Sequence, residues 1–303
     1  MPSNLNPLGA LPARFRRQRV LIIGCGDVGM RAAKLLGPRT RVMALTSNHQ
    51  RVPVLRAAGI VPLIGNLDKP RTLARLAGLA SRVLHLAPPP GQGVKDPRTQ
   101  SLAWALRRRQ LPAAMVYGST SGVYGNCDGE WLNETRATHP ETARAWRRVD
   151  AELHVRQLGR AGVCASILRI PGIYAPDREG GTPRERLLSS TPVLMADEDV
   201  FTNHIHADDL ARACMLALWR GHPQRVINVS DDSDLKMGDY MDLAADLYGL
   251  PRPPRTTLAQ AAQSLSPMRL SFMRESRRLD NQRMKHELRL RLSYPTVRQG
   301  LIE

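Results

Sequence analysis

Aromatic residues make up only 4% of the 303-residue chain, although its formal net charge is +17 and its pI is about 10.8. The basic residues are scattered and mostly arginine, and they form neither a lysine-rich arm nor a pattern interleaved with aromatics. The stacking platform of a single-strand binding protein is therefore missing. We predict no specific nucleic-acid partner, and we interpret part of the charge as suited to an anionic cofactor.

Cysteines and long apolar runs are also scarce. Cys25, Cys127, Cys164 and Cys214 lie far apart and form no C-x-x-C pair, which argues against a disulfide framework or a cysteine-rich zinc site. No apolar run approaches the roughly 18 residues of a membrane-spanning helix, and the N-terminal residues contain no apolar signal region. These absences predict a cytoplasmic protein with no bound metal and no membrane partner. Separately, we expect a monomer or homodimer.

A glycine-rich turn between a strand and a helix organises the rest of the sequence. Val20–Ile23 is typical of a strand buried on both faces, and Gly24, Gly26 and Gly29 follow it in the pattern G-x-G-x-x-G. Gly24 allows a sharp exit from the strand, Gly26 allows a pyrophosphate to approach the backbone, and Gly29 lets the helix Asp27–Leu36 pack on the sheet. The alternative is an ordinary turn, but the strand–turn–helix context predicts a dinucleotide-binding site.

The end of the second predicted strand, Arg41–Leu45, indicates which dinucleotide is bound. An NAD site usually places Asp or Glu there to bind the ribose hydroxyls. This chain has Thr46 and Ser47 instead, with Arg51 one turn later. Because hydroxyls and a guanidinium bind a 2′-phosphate that a carboxylate would repel, we predict NADP rather than NAD as the cofactor.

Strand and helix patterns alternate with short connections, which predicts an α/β fold with a doubly wound parallel sheet of Rossmann type. We expect a loosely ordered lead-in at residues 1–18, a dinucleotide-binding core at 19–171, and the remainder of the core with a small C-terminal substrate lobe at 172–303. Thr138 and Glu141 form a capping-box pattern, which predicts the start of a long helix that ends near Leu158.

Further motifs occur in the order typical of one family. They are Gly65-Asn66-Leu67, Leu86-Ala87-Pro88, Gly118-Ser-Thr-Ser-Gly-Val-Tyr-Gly125, Trp131-Leu-Asn-Glu134, Leu168-Arg-Ile-Pro-Gly-Ile-Tyr174 and Ile205-His206-Ala-Asp-Asp209. With the glycine turn, this set resembles the extended and atypical short-chain dehydrogenase/reductases (SDR), the NAD(P)-dependent epimerase/dehydratase group, over about residues 19–301. The resemblance implies an SDR-type fold and cofactor contacts from the glycine turn and from Asp27, Val28, Asn66, Leu67, Ala87, Pro88 and Pro171.

The reaction centre of that family is a Ser or Thr, a Tyr and a Lys, in which the Tyr transfers a proton while hydride moves. The resemblance places Thr120 on the Ser/Thr position, whereas Arg144 and Arg148 stand at the Tyr and Lys positions. The chain contains no Tyr-x-x-x-Lys, and arginine is not a proton donor near neutral pH. Tyr124 either replaces the missing donor or packs beside the site, and we favour packing.

Three other assignments have two interpretations. The Arg144 and Arg148 pair either clamps a phosphate or carboxylate or forms a solvated helix face, which we favour because Arg147 adjoins it. Arg169 either holds an anionic substrate or pairs with a carboxylate in the core. His206 is predicted to be a structural residue ahead of a helix rather than a catalytic base.

The leading functional prediction is an NADP-dependent oxidoreductase or epimerase/dehydratase-like enzyme that acts on a small, including sugar-derived, hydroxyl or carbonyl substrate. The alternative is a catalytically inactive NADP-binding redox sensor or regulatory protein, and a nucleic-acid-associated protein is suggested by charge alone. The missing Tyr and Lys favour the sensor, whereas Thr120 and the loop-built lobe favour the enzyme.

Overall fold

The computed structural model describes residues 18–264 and 267–302 of the chain. The strands in these ranges are β1 (Gln18–Ile23), β2 (Thr40–Thr46), β3 (Val61–Ile64), β4 (Arg82–His85), β5 (Ala114–Thr120), β6 (Trp131–Leu132), β7 (Cys164–Ile170), β8 (Gly172–Tyr174), β9 (Val193–Leu194), β10 (Phe201–Thr202), β11 (His204–His206), β12 (Arg225–Asn228), β13 (Leu235–Lys236), β14 (Arg255–Thr256) and β15 (Arg278–Leu279). The α-helices are α1 (Asp27–Leu35), α2 (Arg51–Ala57), α3 (Pro97–Leu106), α4 (Ala143–Arg160), α5 (Arg184–Leu188), α6 (Ala207–Arg220), α7 (Met237–Tyr248), α8 (Leu258–Ser264), α9 (Pro267–Met273), α10 (Gln282–Glu287) and α11 (Val297–Gly300), and Pro70–Leu76 and Ser121–Tyr124 are 3-10 helices. The predicted lead-in lies outside the described residues except for Gln18, which begins β1.

Seven strands form one parallel sheet in the order β12-β7-β5-β4-β1-β2-β3. Residues of α1, α2 and α6 pack on one face, and residues of Pro70–Leu76, α3 and α4 pack on the other. Strand β1 shows why the chain folds this way: Val20 and Ile22 belong to one apolar core, Leu21 and Ile23 to the other, and all four side chains are fully buried. The predicted doubly wound α/β sheet is confirmed.

The strand order reverses between β1 and β4, and this reversal positions the site. Ile23, the last residue of β1, pairs in register with His85, the last residue of β4. The carbonyl oxygen of Ile23 also accepts hydrogen bonds from the N–H groups of Leu86 (2.7 Å) and Ala87 (3.0 Å). Ligands of open α/β sheets bind in the crevice beyond the carboxyl ends of the strands at such a reversal.

Residues after 171 contribute both to the sheet and to smaller structures. Strand β12 forms one edge of the seven-stranded sheet, while β8, β9, β10 and β13 belong to two-stranded pairs. A separate apolar cluster includes Tyr174, Leu187, Val193 and Met241. This arrangement is compatible with a small C-terminal lobe, and the boundary at residue 171 stays a prediction.

The long helix α4 begins later than the capping-box pattern predicts. Thr142 rather than Thr138 caps it, because Oγ1 of Thr142 accepts a hydrogen bond from the N–H of Ala145 (3.2 Å). The carboxylate of Glu141 instead accepts one from the N–H of Asn126 (3.2 Å). This tertiary contact holds Glu141 outside the helix, so the predicted box is wrong.

Candidate active site

The three glycines of the turn have different surroundings. Gly24 has a φ of +86°, in the left-handed region, and a Cβ on it would lie 2.3 Å from the backbone nitrogen of Ala87. A Cβ on Gly29 would lie 3.0 Å from the carbonyl oxygen of Gly24, so α1 packs closely on the end of β1. A Cβ on Gly26 would meet no described atom within 4 Å, and no side chain caps α1 there. The free N–H groups of α1 therefore adjoin open space that an anion can enter.

A cavity of about 360 Å³, here called the first cavity, lies beside this turn. Its lining contains these predicted cofactor residues: Gly24, Gly26, Thr46, Ser47, Arg51, Asn66, Leu67 and Ala87. Nη2 of Arg51 donates a hydrogen bond to the carbonyl oxygen of Cys25 (2.7 Å), which holds the guanidinium against the glycine turn. The predicted hydroxyls and guanidinium thus share one cavity.

Sequence reasoning missed an ion pair in the first cavity. Nε and Nη2 of Arg98 each lie 2.7 Å from a carboxylate oxygen of Asp68, and this contact lowers the pKa of the Asp68 carboxyl. Pro88 does not line any of the three cavities described here; its carbonyl oxygen accepts a hydrogen bond from Arg98 (3.2 Å). Asp68 follows the Gly65-Asn66-Leu67 motif directly, but no local sequence pattern predicts its contact with Arg98 of α3.

A second cavity, of about 290 Å³, runs from Gly26 past the start of α1 to the end of β5. The predicted residues Asp27, Val28, Thr120 and Pro171 line it. Arg178 also lines it, with Nε 3.4 Å from Oδ2 of Asp27. No sequence signal indicated Arg178, because it lies in the polar segment after β8 and outside every motif.

Thr120 lies at the junction of the second cavity with a third, which is the largest of the three at about 600 Å³. Oγ1 of Thr120 accepts a hydrogen bond from the N–H of Gly122 (3.2 Å). Nη1 of Arg148 donates to the carbonyl oxygen of Gly118 (2.7 Å) and to the hydroxyl of Tyr117 (3.1 Å). The guanidinium of Arg148 therefore sits on the strand end that carries Thr120.

The face of α4 that carries Arg144 and Arg148 is turned toward the cleft. Arg148 lines the second cavity and Arg144 lines the third, as expected of residues one helical turn apart. Arg147 points elsewhere, because its Nη1 donates to the carbonyl oxygen of Gly93 (2.6 Å). The prediction that Arg144 and Arg148 form a solvated helix face is wrong.

Tyr124 lies in the core rather than at the cleft. Its hydroxyl donates a hydrogen bond to Oδ1 of Asn228 (2.7 Å), and the residue is 1% exposed and lines none of the three cavities. Burial raises the pKa of its phenol. Tyr124 is therefore packed, as the favoured alternative expects. The position of Tyr124 gives no support to a role as the replacement proton donor.

The surroundings of Arg169 and His206 also indicate structural roles. Nη2 of Arg169 lies 2.9 Å from Oε2 of Glu152, so the core-carboxylate alternative holds for Arg169. Nδ1 of His206 accepts a hydrogen bond from the N–H of Asp208 (3.2 Å) at the start of α6, and its ring stacks on Tyr294 at 3.7 Å. His206 thus caps α6, as expected of a residue ahead of a helix, and its structural role stays a prediction.

Cys25, Cys127, Cys164 and Cys214 are all free thiols. Within the described ranges, no group of three or more His, Cys, Asp or Glu side chains is placed to hold a metal ion. In that same part of the chain, no helix is both long and apolar enough to cross a membrane.

Comparison with known families identifies the architecture. The model of the NAD dependent epimerase/dehydratase family matches residues 26–230, about two thirds of the chain. The protein belongs to this family. The predicted resemblance is confirmed, and a nicotinamide dinucleotide is the cofactor class of the family.

The similarity of the chain to several solved structures extends over almost its whole length. A functionally unknown conserved protein from Silicibacter pomeroyi DSS is 29% identical, with 94% of this chain and 96% of that chain covered and a TM-score of 0.75. MoeE5 in complex with UDP-glucose and NAD is 22% identical, with 93% and 96% covered and a TM-score of 0.71. A nucleoside-diphosphate-sugar epimerase from Pseudomonas aeruginosa is 18% identical, with 94% and 95% covered and a TM-score of 0.76. No curated protein is significantly similar to the chain.

Proposed function

We propose that the protein is an NADP-dependent oxidoreductase or epimerase-like enzyme that acts on a small hydroxyl or carbonyl compound. The observation that carries this proposal is the continuity of the cleft. The first and second cavities share Gly26, and the second and third share Thr120, Pro171 and Ile173. A dinucleotide along the first two cavities would end where the third opens, so a substrate there would meet its nicotinamide end.

The residues of the first two cavities fit a dinucleotide with an additional phosphate. The open backbone at Gly26 leaves room for a pyrophosphate, and Arg178 adds a cation beside it. Thr46, Ser47 and Arg51 supply hydroxyls and a guanidinium for a 2′-phosphate. The MoeE5 complex holds NAD, so the preference for NADP rests on the side chains of this chain.

Thr120 is the catalytic contact in this proposal. Because its Oγ1 accepts from Gly122, its O–H is available to donate to a substrate oxygen. When bound, the nicotinamide supplies or accepts a hydride. Arg144 and Arg148 cannot cycle a proton near neutral pH, and the loss of general acid catalysis costs roughly 10²–10⁴-fold. We therefore expect slow turnover of ordinary alcohols and sugars, unless a substrate group supplies the proton.

The second candidate is an NADP-binding sensor or regulatory protein without catalysis, which the arginines at the family's Tyr and Lys positions favour. Calorimetry with NADPH and NADH, followed by an assay of NADPH oxidation across a panel of carbonyl compounds, separates the two. The enzyme proposal expects tighter binding of NADPH and turnover of at least one compound. Tight NADPH binding without turnover supports the sensor, and tighter binding of NADH overturns the NADP assignment.

A further inference from the structure

The charges on the wall of the third cavity are unbalanced. Arg144, Arg186 and Arg277 line it, and Glu275 is the one carboxylate among its lining residues. Oε2 of Glu275 is already within 2.8 Å of Nη1 of Arg277. The lining therefore carries more positive than negative charge before any ligand enters.

Arg144 lines this cavity without an ion pair to any of the described residues. No Asp or Glu of the described residues lies within 4.0 Å of its guanidinium, which packs over the ring of Phe272 at 4.3 Å. It stands in the first turn of α4, which contains no acidic residue and where the helix dipole disfavours a cation. Burial lowers the pKa of Arg144, and the nearby Arg277, Arg147 and Arg148 add to this effect against the opposing Glu275.

Arg277 gives an independent indication of a missing acceptor. Its side chain is only 10% exposed, and its Nη1 donates to Glu275 and to the carbonyl oxygen of Gly125 (2.7 Å). Nε of Arg277 is buried and has no hydrogen-bond partner in the described part of the chain. A buried donor without an acceptor is costly, so Arg277 adds a second guanidinium, with one unsatisfied donor, to the wall of this cavity.

We propose that the third cavity binds a ligand with an oxyanion, a carboxylate or a phosphate, and that Arg144 holds this group beside Thr120. The arginine fork forms two parallel hydrogen bonds with either oxyanion. Arg144 thus has a binding role at the position where the family has its proton-donating Tyr. The proposal rests on the function proposed above, because it assigns the substrate class of the same cleft.

The test uses thermal unfolding of the full chain, saturated with NADPH so that the cofactor already occupies the phosphate-binding groups around Arg51. Sodium oxalate or inorganic phosphate is added at constant ionic strength, with chloride as the reference salt. We expect a saturable rise in Tm for the wild type. Arg144→Gln should weaken the apparent affinity by about 10- to 100-fold, since a hydrogen bond to a charged group is lost. Arg144→Lys should weaken it less, because the charge stays and the fork is lost.

Arg147→Gln is the matched control, because Arg147 belongs to the same helical turn but lines none of the three cavities. The proposal requires this variant to bind the anions like the wild type. A preference for oxalate identifies a carboxylate site and a preference for phosphate a phosphate site. Equal losses in Arg144→Gln and Arg147→Gln, or no saturable effect of either anion, would overturn it.

The same titration without NADPH distinguishes this failure from failure of the proposed function. If NADPH does not bind but the anion effect still depends on Arg144, the proposed function fails and the oxyanion site stands. If NADPH binds tightly and the anion effect does not depend on Arg144, only the proposed oxyanion site is wrong.

Discussion

Nη2 of Arg169 lies 2.9 Å from Oε2 of Glu152, and both side chains are almost fully buried. Oε1 of Glu152 also accepts a hydrogen bond from Oγ of Ser119 (2.7 Å), the residue that precedes Thr120. The pair therefore joins α4, β7 and the end of β5 behind the cleft. Arg148 stands one turn before Glu152 on α4, so the pair anchors the part of the helix that carries Arg148.

Removal of one partner should destabilise the fold strongly. Arg169→Met leaves the Glu152 carboxylate buried without its cation, and we expect a loss of about 3–5 kcal/mol in the free energy of unfolding. Urea denaturation measures it. Arg156→Met is the matched control, because Arg156 is half-exposed and lies 3.9 Å from the same carboxylate. The separation of 3.9 Å is long and water reaches the Arg156 guanidinium, so we expect Arg156→Met to lose only about 0–1 kcal/mol. Equal losses in the two variants would contradict the prediction.

Two glycines of the turn should differ when each is changed to alanine. Gly24→Ala forces a Cβ against the backbone of Ala87 in a left-handed conformation, and we expect a loss of about 1–3 kcal/mol or more in stability. Gly26→Ala adds a Cβ in open space, so the fold should persist while NADPH binding weakens at least about tenfold, or ~1.4 kcal/mol. Denaturant unfolding and NADPH titrations of both variants test these expectations. Full NADPH affinity in Gly26→Ala would show that the pyrophosphate does not bind at this position.

The sequence predicted this turn well because its requirements are local. A strand, three glycines at fixed spacing and a helix occupy adjacent residues, and Val20–Ile23 alone indicates a strand buried on both faces. The orientation of α4 was not predictable in this way. The spacing of Arg144 and Arg148 puts both on one face, but it does not say whether that face meets the cleft or water.

Contacts between segments that are far apart in the chain could not be predicted from the sequence either. Arg98 meets Asp68 across 30 residues, and Glu275 and Arg277 reach the third cavity from the far end of the chain. The capping-box pattern of Thr138 failed for a related reason, since a tertiary hydrogen bond competes for Glu141. Local propensity cannot weigh such partners before the fold is known.

Arg51 should select between the two nicotinamide cofactors. Arg51→Ala removes a guanidinium from the first cavity, and we expect NADPH to bind about 10- to 100-fold more weakly while NADH is nearly unaffected. Arg56→Ala, an exposed residue of the same helix, is the control. Calorimetry on the two variants tests the assignment. Equal weakening of NADPH and NADH in Arg51→Ala would show that Arg51 supports the turn through Cys25 instead.

Thr120 and Tyr124 should respond differently to the loss of their hydroxyls. Thr120→Val keeps nearly the same volume, and we expect turnover to fall about 10²–10³-fold with NADPH binding unchanged. Tyr124→Phe should keep its activity but lose about 1–3 kcal/mol of stability, because the buried Oδ1 of Asn228 loses its donor. Steady-state kinetics and urea denaturation of both variants provide the measurements. Full activity in Thr120→Val would place the reaction elsewhere, and a loss of about 10²-fold in Tyr124→Phe would restore Tyr124 as the proton donor.

Asp231 should make the stability depend on pH. It is 4% exposed, its Oδ1 accepts from the N–H of Ser233 (3.0 Å), and burial raises the pKa of its carboxyl from 3.8 to about 7. The folded state therefore binds a proton that the unfolded state releases between those two pH values. The contribution of Asp231 to the free energy of unfolding falls as pH rises through this window and stays low above it.

Asp231→Asn keeps the shape of the side chain and cannot ionise. Relative to the wild type, this variant should be close in stability near pH 4 and more stable by roughly 2–4 kcal/mol at pH 8. Asp234→Asn, at an exposed carboxylate three residues later, should show no such trend. Urea denaturation of the three proteins from pH 4 to 8 measures the difference directly. A gap between Asp231→Asn and the wild type that stays constant across this range would mean that folding leaves the pKa of Asp231 unchanged.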